Sequence, residues 1–298
     1  MSEERERVLK LLEDGKINAD QAARLIQALG SQEPPAPPEP PLLGHRRHTR
    51  FHFRELDRIP DIVANAVSSA VRTGVWPQEG ETKTEFRGKN SLFLKSVSGN
   101  VDLAGWDEDR ISLEGMGGMV RVREREDQVM VRSISGDITG KMPRESRIEL
   151  VSVSGDVGVS GIKGKFGLKS VSGDIDIEDF QGDVRVDIVS GDIRMTRVSG
   201  TITIESKSGD VEIEPVSEFG GEVVSKSGDI DLRLRPDANV ELEMECEEEG
   251  DITLDVGLDQ EVLEQGERKL KVRLGKGGQV MKLRTRKADI KVREAKEE

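Results

Sequence analysis

The chain contains no tyrosine, and its 298 residues include only seven phenylalanines, two tryptophans, three histidines and one cysteine. Aromatic side chains usually supply much of a globular core, so a core here must be built from Val, Ile and Leu, a composition that favours strands. The lone Cys246 excludes an internal disulfide framework, and with His45, His48 and His52 it makes no zinc-binding set. MSEERERVLK is not followed by an apolar signal segment, and no run approaches the ~20 apolar residues of a membrane span. The sequence therefore reads as a soluble cytoplasmic protein. Neither a Gly-x-Ser-x-Gly elbow nor a P-loop occurs, and carboxylates are too frequent for any one pair to stand out. The expectation is a non-enzymatic protein with no cofactor; carbohydrate-cleaving β-helices, which also carry surface carboxylates, are the competing reading.

Charge is abundant: 58 acidic against 45 basic residues give a formal net charge of −13. That balance argues against nucleic-acid binding by the whole chain and permits attraction to cationic partners.

Three segments precede the main domain. Residues 1–30 read as a helical hairpin, with Val8, Leu11 and Leu12 on one stripe and Ala22, Leu25, Ile26 and Leu29 on another. Gly15 and Gly30 suit helix ends, and Asn18 with Gln21 makes a capping box. A hairpin of that size cannot bury enough surface to stand alone, so it is expected to contact a protein partner, a second copy or the main domain. It has no basic face for DNA. Residues 31–58 hold the proline-rich linker EPPAPPEPP and a basic junction, where Arg46, Arg47, Arg50 and Arg54 surround Phe51 and Phe53. Residues 59–71 place Ile59, Ile62, Val63, Ala66, Val67, Ala70 and Val71 at spacings of three and four, an amphipathic helix expected to cap the open end of the following domain. Peripheral membrane contact through residues 44–75 is the alternative for this stretch.

From Gly155 onward, glycine recurs every nine residues at 164, 173, 182, 191, 200 and 209. Each unit alternates aliphatic and polar residues, the mark of a short strand with one buried face, and glycine marks the turn. Alternate units differ: those at 155, 173, 191 and 209 carry Ser-Gly-Asp, so the true period is eighteen residues with two unlike halves. The same turn appears at Gly99, Gly136, Gly228 and Gly250. Residues 59–298 are thus expected to form the capping helix and a mainly β, parallel, right-handed β-solenoid of about ten coils, with coils stacked at roughly 4.8 Å. Antiparallel hairpins would explain the nine-residue spacing but not the chemical likeness of alternate turns.

In such a rod Val157, Ile175, Ile193 and Val211 form one core column, and Val159, Ile177, Met195 and Ile213 the next. Glu241, Glu243 and Glu245 alternate with apolar residues, as do Lys269, Lys271 and Arg273, and then Lys282, Arg284 and Arg286, so acidic and basic strands are expected to be neighbours. Cys246 falls on the apolar face as a small buried group. Gly136, Gly155, Gly173, Gly191, Gly209 and Gly228 would turn the chain at one corner. Asp137, Asp156, Asp174, Asp192, Asp210 and Asp229 would line that corner. Two readings of these aspartates stand side by side. Either their side chains satisfy backbone groups in the turn, or Ca²⁺ sits between coils as in nonapeptide β-rolls; the unit has that period but lacks the second glycine.

The repeated SVSGD and SKSGD units over about 90–293 resemble the bacterial "putative adhesin" β-strand-repeat domain of unknown function. The leading RERVLKLLEDGKINADQAARLIQALG is similar to the short helical, SHOCT-like hairpin that precedes this domain in LiaX- and YvlB-like proteins of Firmicutes. The resemblance implies a non-enzymatic binding or scaffolding role in the cell-envelope stress response, with membrane or surface association and contact with a protein or a cationic peptide. A self-associating adhesin-like rod, Ca²⁺-stabilised in one version, is the alternative. The proline linker and the basic junction depart from the family pattern.

Overall fold

A computed structural model of the chain describes residues 82–116 and 120–295. The hairpin expected over 1–30, the linker and junction over 31–58 and the helix expected over 59–71 lie outside the described residues. Within them, the alternation of aliphatic and polar residues produces strands throughout. These are β1 (Thr82–Arg87), β2 (Ser91–Ser96), β3 (Val101–Trp106), β4 (Arg110–Met116), β5 (Val120–Glu124), β6 (Val129–Ser133) and β7 (Asp137–Pro143). There follow β8 (Glu145–Ser152), β9 (Val157–Ser160), β10 (Lys163–Ser172), β11 (Ile175–Glu178), β12 (Gln181–Ser190), β13 (Ile193–Ser208) and β14 (Val211–Ser225). The last seven are β15 (Ile230–Leu234), β16 (Val240–Glu249), β17 (Ile252–Asp255), β18 (Gln260–Gln265), β19 (Lys269–Leu274), β20 (Val280–Lys287) and β21 (Ile290–Glu294).

In the strict repeat zone, each strand pairs in parallel with the strand eighteen residues away: Val157 with Ile175, Ile175 with Ile193, and Ile193 with Val211. The second column, Val159, Ile177, Met195 and Ile213, is in the same register. All eight residues are at most 2% exposed, so each coil adds its aliphatic pair to one continuous core. Burial of each such side chain stabilises by roughly 1.5–3 kcal/mol, which is how a core with few aromatics holds.

Two ladders result. Ladder A runs β5-β6-β2-β8-β10-β12-β13-β14-β20-β16-β19-β18. Ladder B runs β1-β4-β7-β3-β9-β11-β13-β14-β15-β21-β17. β13 and β14 bend through both ladders, giving their first halves to B and their second halves to A, and so join everything into one 21-stranded sheet.

The stacking order corrects the expectation of coils laid down in chain order. The β2/β3 coil is inserted between β6/β7 and β8/β9, and the β20/β21 coil between β14/β15 and β16/β17. Nine two-strand coils stack in this way among the described residues, flanked by antiparallel strands, where the period alone suggested about ten coils throughout. The inserted arrangement leaves the outermost strands β6, β7 and β16 to be covered by antiparallel strands, while β17 ends ladder B among the described residues. β5 folds back on β6 through a turn closed by Arg125 N–H to the Gln128 carbonyl (2.9 Å), and β18 folds onto β19 through Gly266 N–H to the Lys269 carbonyl (2.8 Å). Charged antiparallel hairpins at the ends protect a sheet from edge-to-edge pairing.

The electrostatic expectation holds in detail. Glu241, Glu243 and Glu245 of β16 face Arg273, Lys271 and Lys269 of β19 on one side, with ion pairs of 3.1, 2.7 and 2.8 Å. On the other side Glu243 and Glu245 face Lys282 and Arg284 of β20. Cys246 is 1% exposed, and burial pushes its thiol up to about 11.

Coil spacing is so close at the corners that glycine is required. Gly173 has φ +120°, and a Cβ there would lie 2.2 Å from the Gly155 carbonyl oxygen. Gly88 has φ +65° with nothing within 4 Å of the same position. Gly88→Ala should therefore cost only the left-handed backbone penalty of about 1–2 kcal/mol, whereas Gly173→Ala should cost clearly more because neighbouring coils must separate. Urea denaturation midpoints of the two variants check this; equal losses would refute a steric requirement at the corner.

Candidate functional site

The SGD corner was the strongest candidate for repeated chemistry. The structure brings its aspartates into one column, extended by three residues that belong to less regular turns. Asp137 Oδ1 accepts the Asn100 N–H at 2.8 Å, and Asn100 Oδ1 accepts that of Asp156 at 3.0 Å. Asp156, Asp174, Asp192 and Asp210 in turn accept the N–H of Asp174, Asp192, Asp210 and Asp229 at 2.9–3.0 Å. Asp229 then accepts from Asp289, and Asp289 from Asp251, both at 3.0 Å. From Asn100 to Asp251 the main-chain carbonyls of the column also accept the N–H of the residue after the neighbouring column member, as in Ile175 N–H to the Asp192 carbonyl at 2.9 Å. One carboxylate oxygen of every aspartate from Asp137 to Asp289 in the column thus ties its coil to the next.

The turn glycines occupy the adjacent column. Gly136, Gly155, Gly173, Gly191 and Gly209 have positive φ; Gly228 does not, yet a Cβ there would still come within 2.0 Å of the Gly209 carbonyl oxygen. Gly99 and Gly250 belong to the same column. Asp289 escaped the sequence reading because alanine, Ala288, precedes it instead of glycine, and because its coil is out of chain order.

The serines of SVSGD complete the corner. The first, as in Ser133, Ser170 and Ser206, is buried and donates its hydroxyl to the carbonyl two residues on, at 3.1–3.4 Å. The second, as in Ser172 and Ser208, donates to a valine carbonyl of the preceding coil at 3.2 Å. A buried column of Ser133, Ser96, Ser152, Ser170, Ser206, Ser225 and Thr285 was missed in the sequence; its signal is the Ser that opens each SVSGD or SKSGD. Ile188 interrupts it in β12.

Charge partners at the corner depress carboxyls locally. The hydrogen bond from Lys291 (2.6 Å) holds Asp229 below the usual carboxylate range, and the Asp289 N–H adds to it. On the opposite side of the rod, Arg197 does the same for Asp179. Among the described residues, no three His, Cys, Asp or Glu side chains are grouped to hold a metal ion.

A different surface is open to a ligand. On the outer face of ladder B, a trough of about 270 Å³ is lined by Asp102, Asp176, Glu178 and Lys141, with Gly140 and Gly158 in its floor. Asp102 leans across the Gly158 rung: a Cβ at Gly158 would lie 2.6 Å from its Oδ1. The trough continues into a second depression that shares Thr139, Gly140 and Lys141 and adds Trp106, Glu85 and Glu114. Arg110 stacks on Trp106 at 5.0 Å and is itself paired with Glu85 at 2.9 Å. A larger cavity of about 560 Å³ opens among the turns at Pro215–Phe219, Arg235–Asn239 and Gly277–Gln279, where Arg235 and Asp237 neutralise each other at 3.7 Å.

Residues 82–223 match the family model described as Toastrack DUF4097. The β-repeat domain is thus similar to the Toastrack family over a little under half of the chain. Residues 3–33 match a SHOCT-like domain. Two solved structures are similar in part. A "putative cell adhesion protein" from Clostridium sporogenes is 13% identical over 73% of this chain and all of its own, with a TM-score of 0.30. A "putative adhesin" from Bacteroides fragilis is 14% identical over 74% of this chain and all of its own, with a TM-score of 0.36. No curated relative matches the chain. No helix among the described residues is long and apolar enough to cross a membrane.

Two outcomes test the corner. Because Asn100 already fills one place in the column, Asp174→Asn should leave stability nearly unchanged, while Asp174→Ala should cost about 1 kcal/mol for the lost hydrogen bond. A melting temperature raised by Ca²⁺, and no longer raised after Asp174→Asn, would assign the column to a cation instead. The pH dependence follows from the depressed carboxyls. Unfolding restores Asp229 to an ordinary pKa of about 4, so the pair's contribution is fully present above that range and drains away as pH falls below it. Lys291→Met should flatten the acid limb of the stability profile; an unchanged limb in urea melts from pH 6 to about pH 3 would contradict it.

Proposed function

We propose that this protein is a non-enzymatic binding or scaffolding module of the bacterial cell-envelope stress response that engages a cationic peptide or a cationic protein segment. The observation that carries the reading is the acidic trough on ladder B. There Asp102 and Asp176 flank Gly158, with no ion pair to either among the described residues, and Trp106 stands at the far end of the same groove. Aspartates on alternate rungs, their backbones about 10 Å apart, suit the basic side chains of an extended peptide, and an indole at one end suits an apolar or guanidinium group. The net charge of −13 adds long-range attraction. The pairing of a SHOCT-like segment with a Toastrack domain supports the LiaX-like architecture behind the envelope-stress assignment.

The repeated corner is left out of this reading because its side chains are spent on joining coils. Titration calorimetry of the full chain with a cationic amphipathic peptide should give binding at low salt that weakens by tenfold or more as salt is raised to about 0.5 M, where the Debye length is only a few ångströms. Asp102→Asn with Asp176→Asn should weaken it comparably at low salt. No heat of binding at low salt, or affinity untouched by the double variant, would remove the trough as the site.

A further inference from the structure

The two outer faces of the rod differ in a way the repeat does not explain. On ladder B the outward positions are polar and open, as at Asp102, Thr139, Lys141, Asp176, Glu178 and Arg194, all exposed. On ladder A the outward positions include Phe93, Met130, Val151, Val171, Val189 and Val224, all half-buried. The register sets them among charges: Phe93 lies opposite Met130, but Val151 stands between Lys95 and Lys169, and Val224 lies opposite Glu205.

One carboxylate in this patch shows how far it is withdrawn from water. Asp183 and Asp187 share β12 and the same outward face, four residues apart, yet the Asp183 side chain is 57% exposed and that of Asp187 is 1% exposed. Asp187 is paired with Lys169 and Arg185 at 3.4 Å, and its Oδ1 has no hydrogen-bond donor among the described residues. Three rungs away Lys95 also points outward, and burial pushes its pKa down, helped by Arg132 on the next strand. A buried carboxylate is costly unless it is paired and hydrogen-bonded, so the free hydrogen-bonding capacity of Asp187 Oδ1 leaves room for a donor from a covering segment.

We infer that the outer face of ladder A, around Val151, Val189 and Asp187, is the docking seat of the chain's own residues 59–71. Three observations select this occupant. First, Ile59, Ile62, Val63, Ala66, Val67, Ala70 and Val71 form an apolar stripe that matches an aliphatic face, with Asp61 and Arg72 at its margins to meet charges of both signs. A face carrying Lys95, Lys169 and Asp187 together suits such a partner better than an anionic lipid surface, which would repel the buried carboxylate. Second, residues 72–81 join the stripe to β1, and ten residues reach at most about 33–36 Å, more than the roughly 29 Å by which six rungs separate β1 from the level of β12. Third, at the rod's near end Phe86 is 8% exposed and Ile111 0% exposed, and among the described residues only Val120 and Val122 are half-buried there, against the six half-buried apolar residues of the flat face. The flat face therefore offers more apolar surface than the rod's end, where the sequence alone placed this segment. The inference is independent of the peptide-binding trough, which lies on the opposite ladder.

Engineered disulfides test it in the full chain. In a Cys246→Ser background, Val67→Cys with Val189→Cys should cross-link under mild oxidation into a species of monomer mass, at a yield independent of protein concentration. Val67→Cys with Val122→Cys at the near end should not cross-link. Cross-links to Val122 in preference to Val189 would place the segment at the end of the rod and overturn the inference. Cross-links found only between two chains would assign the face to a second copy and overturn it equally. As a check that does not depend on disulfide geometry, the Val189→Cys thiol should be alkylated at least tenfold faster when Val67→Glu is added; an unchanged rate defeats the inference. Sedimentation of the full chain with phosphatidylglycerol vesicles that is abolished by Val189→Glu would assign the face to lipid and overturn it too.

Discussion

The constraint on which this molecule depends is the approach of one backbone to another at the SGD corner. Successive coils come so close there that a Cβ on any of Gly99, Gly155, Gly173, Gly191, Gly209, Gly228 or Gly250 would sit 2.0–2.3 Å from a carbonyl oxygen of the coil beneath. Once glycine permits that approach, the next residue's carboxylate or amide reaches the neighbouring N–H, and the preceding serine reaches a neighbouring carbonyl. Three consecutive residues therefore connect each coil to its neighbours without a regular strand. The aliphatic columns are the consequence: coils held in register at the corner must place Val157, Ile175, Ile193 and Val211 over one another.

This division of labour explains why a chain so rich in aspartate shows so little sign of aspartate chemistry at its most repeated motif. A carboxylate that accepts a backbone N–H is tied to the fold, and Asn100 performs the same task without a charge. Ligand recognition has to fall on the outer faces, where the side chains are free of the stacking requirement. Those faces have diverged, one acidic and grooved and the other mixing half-buried valines with paired charges, although the inward halves of the same strands are nearly interchangeable. In a solenoid the inward positions answer to the neighbouring coil and the outward ones do not.

The ends of the rod obey a different rule. A stack of parallel strands would leave an open edge at each end, and here antiparallel strands flank both ends of ladder A and the first end of ladder B, with charge pairing such as that of Arg273 with both Glu241 and Glu261. To bring those hairpins outside, the chain lays down a coil and then inserts it inward, so β2/β3 and β20/β21 become interior rungs.

The sequence by itself determined the period, the strand class, the two core columns, the burial of Cys246 and the pairing of acidic with basic strands, because alternation and repetition are local properties of neighbouring residues. It did not determine which coil lies beside which. The units share one pattern, so the sequence does not say that Ser91–Ser96 lies between Val129–Ser133 and Glu145–Ser152. For the same reason Asp289 and Asn100 could not be placed in the aspartate column, nor Asp102 and Asp176 on either side of Gly158, until non-adjacent coils were brought together. Which face of the rod is withdrawn from water was likewise a tertiary decision, since Asp183 and Asp187 read alike in the sequence and differ only in what surrounds them.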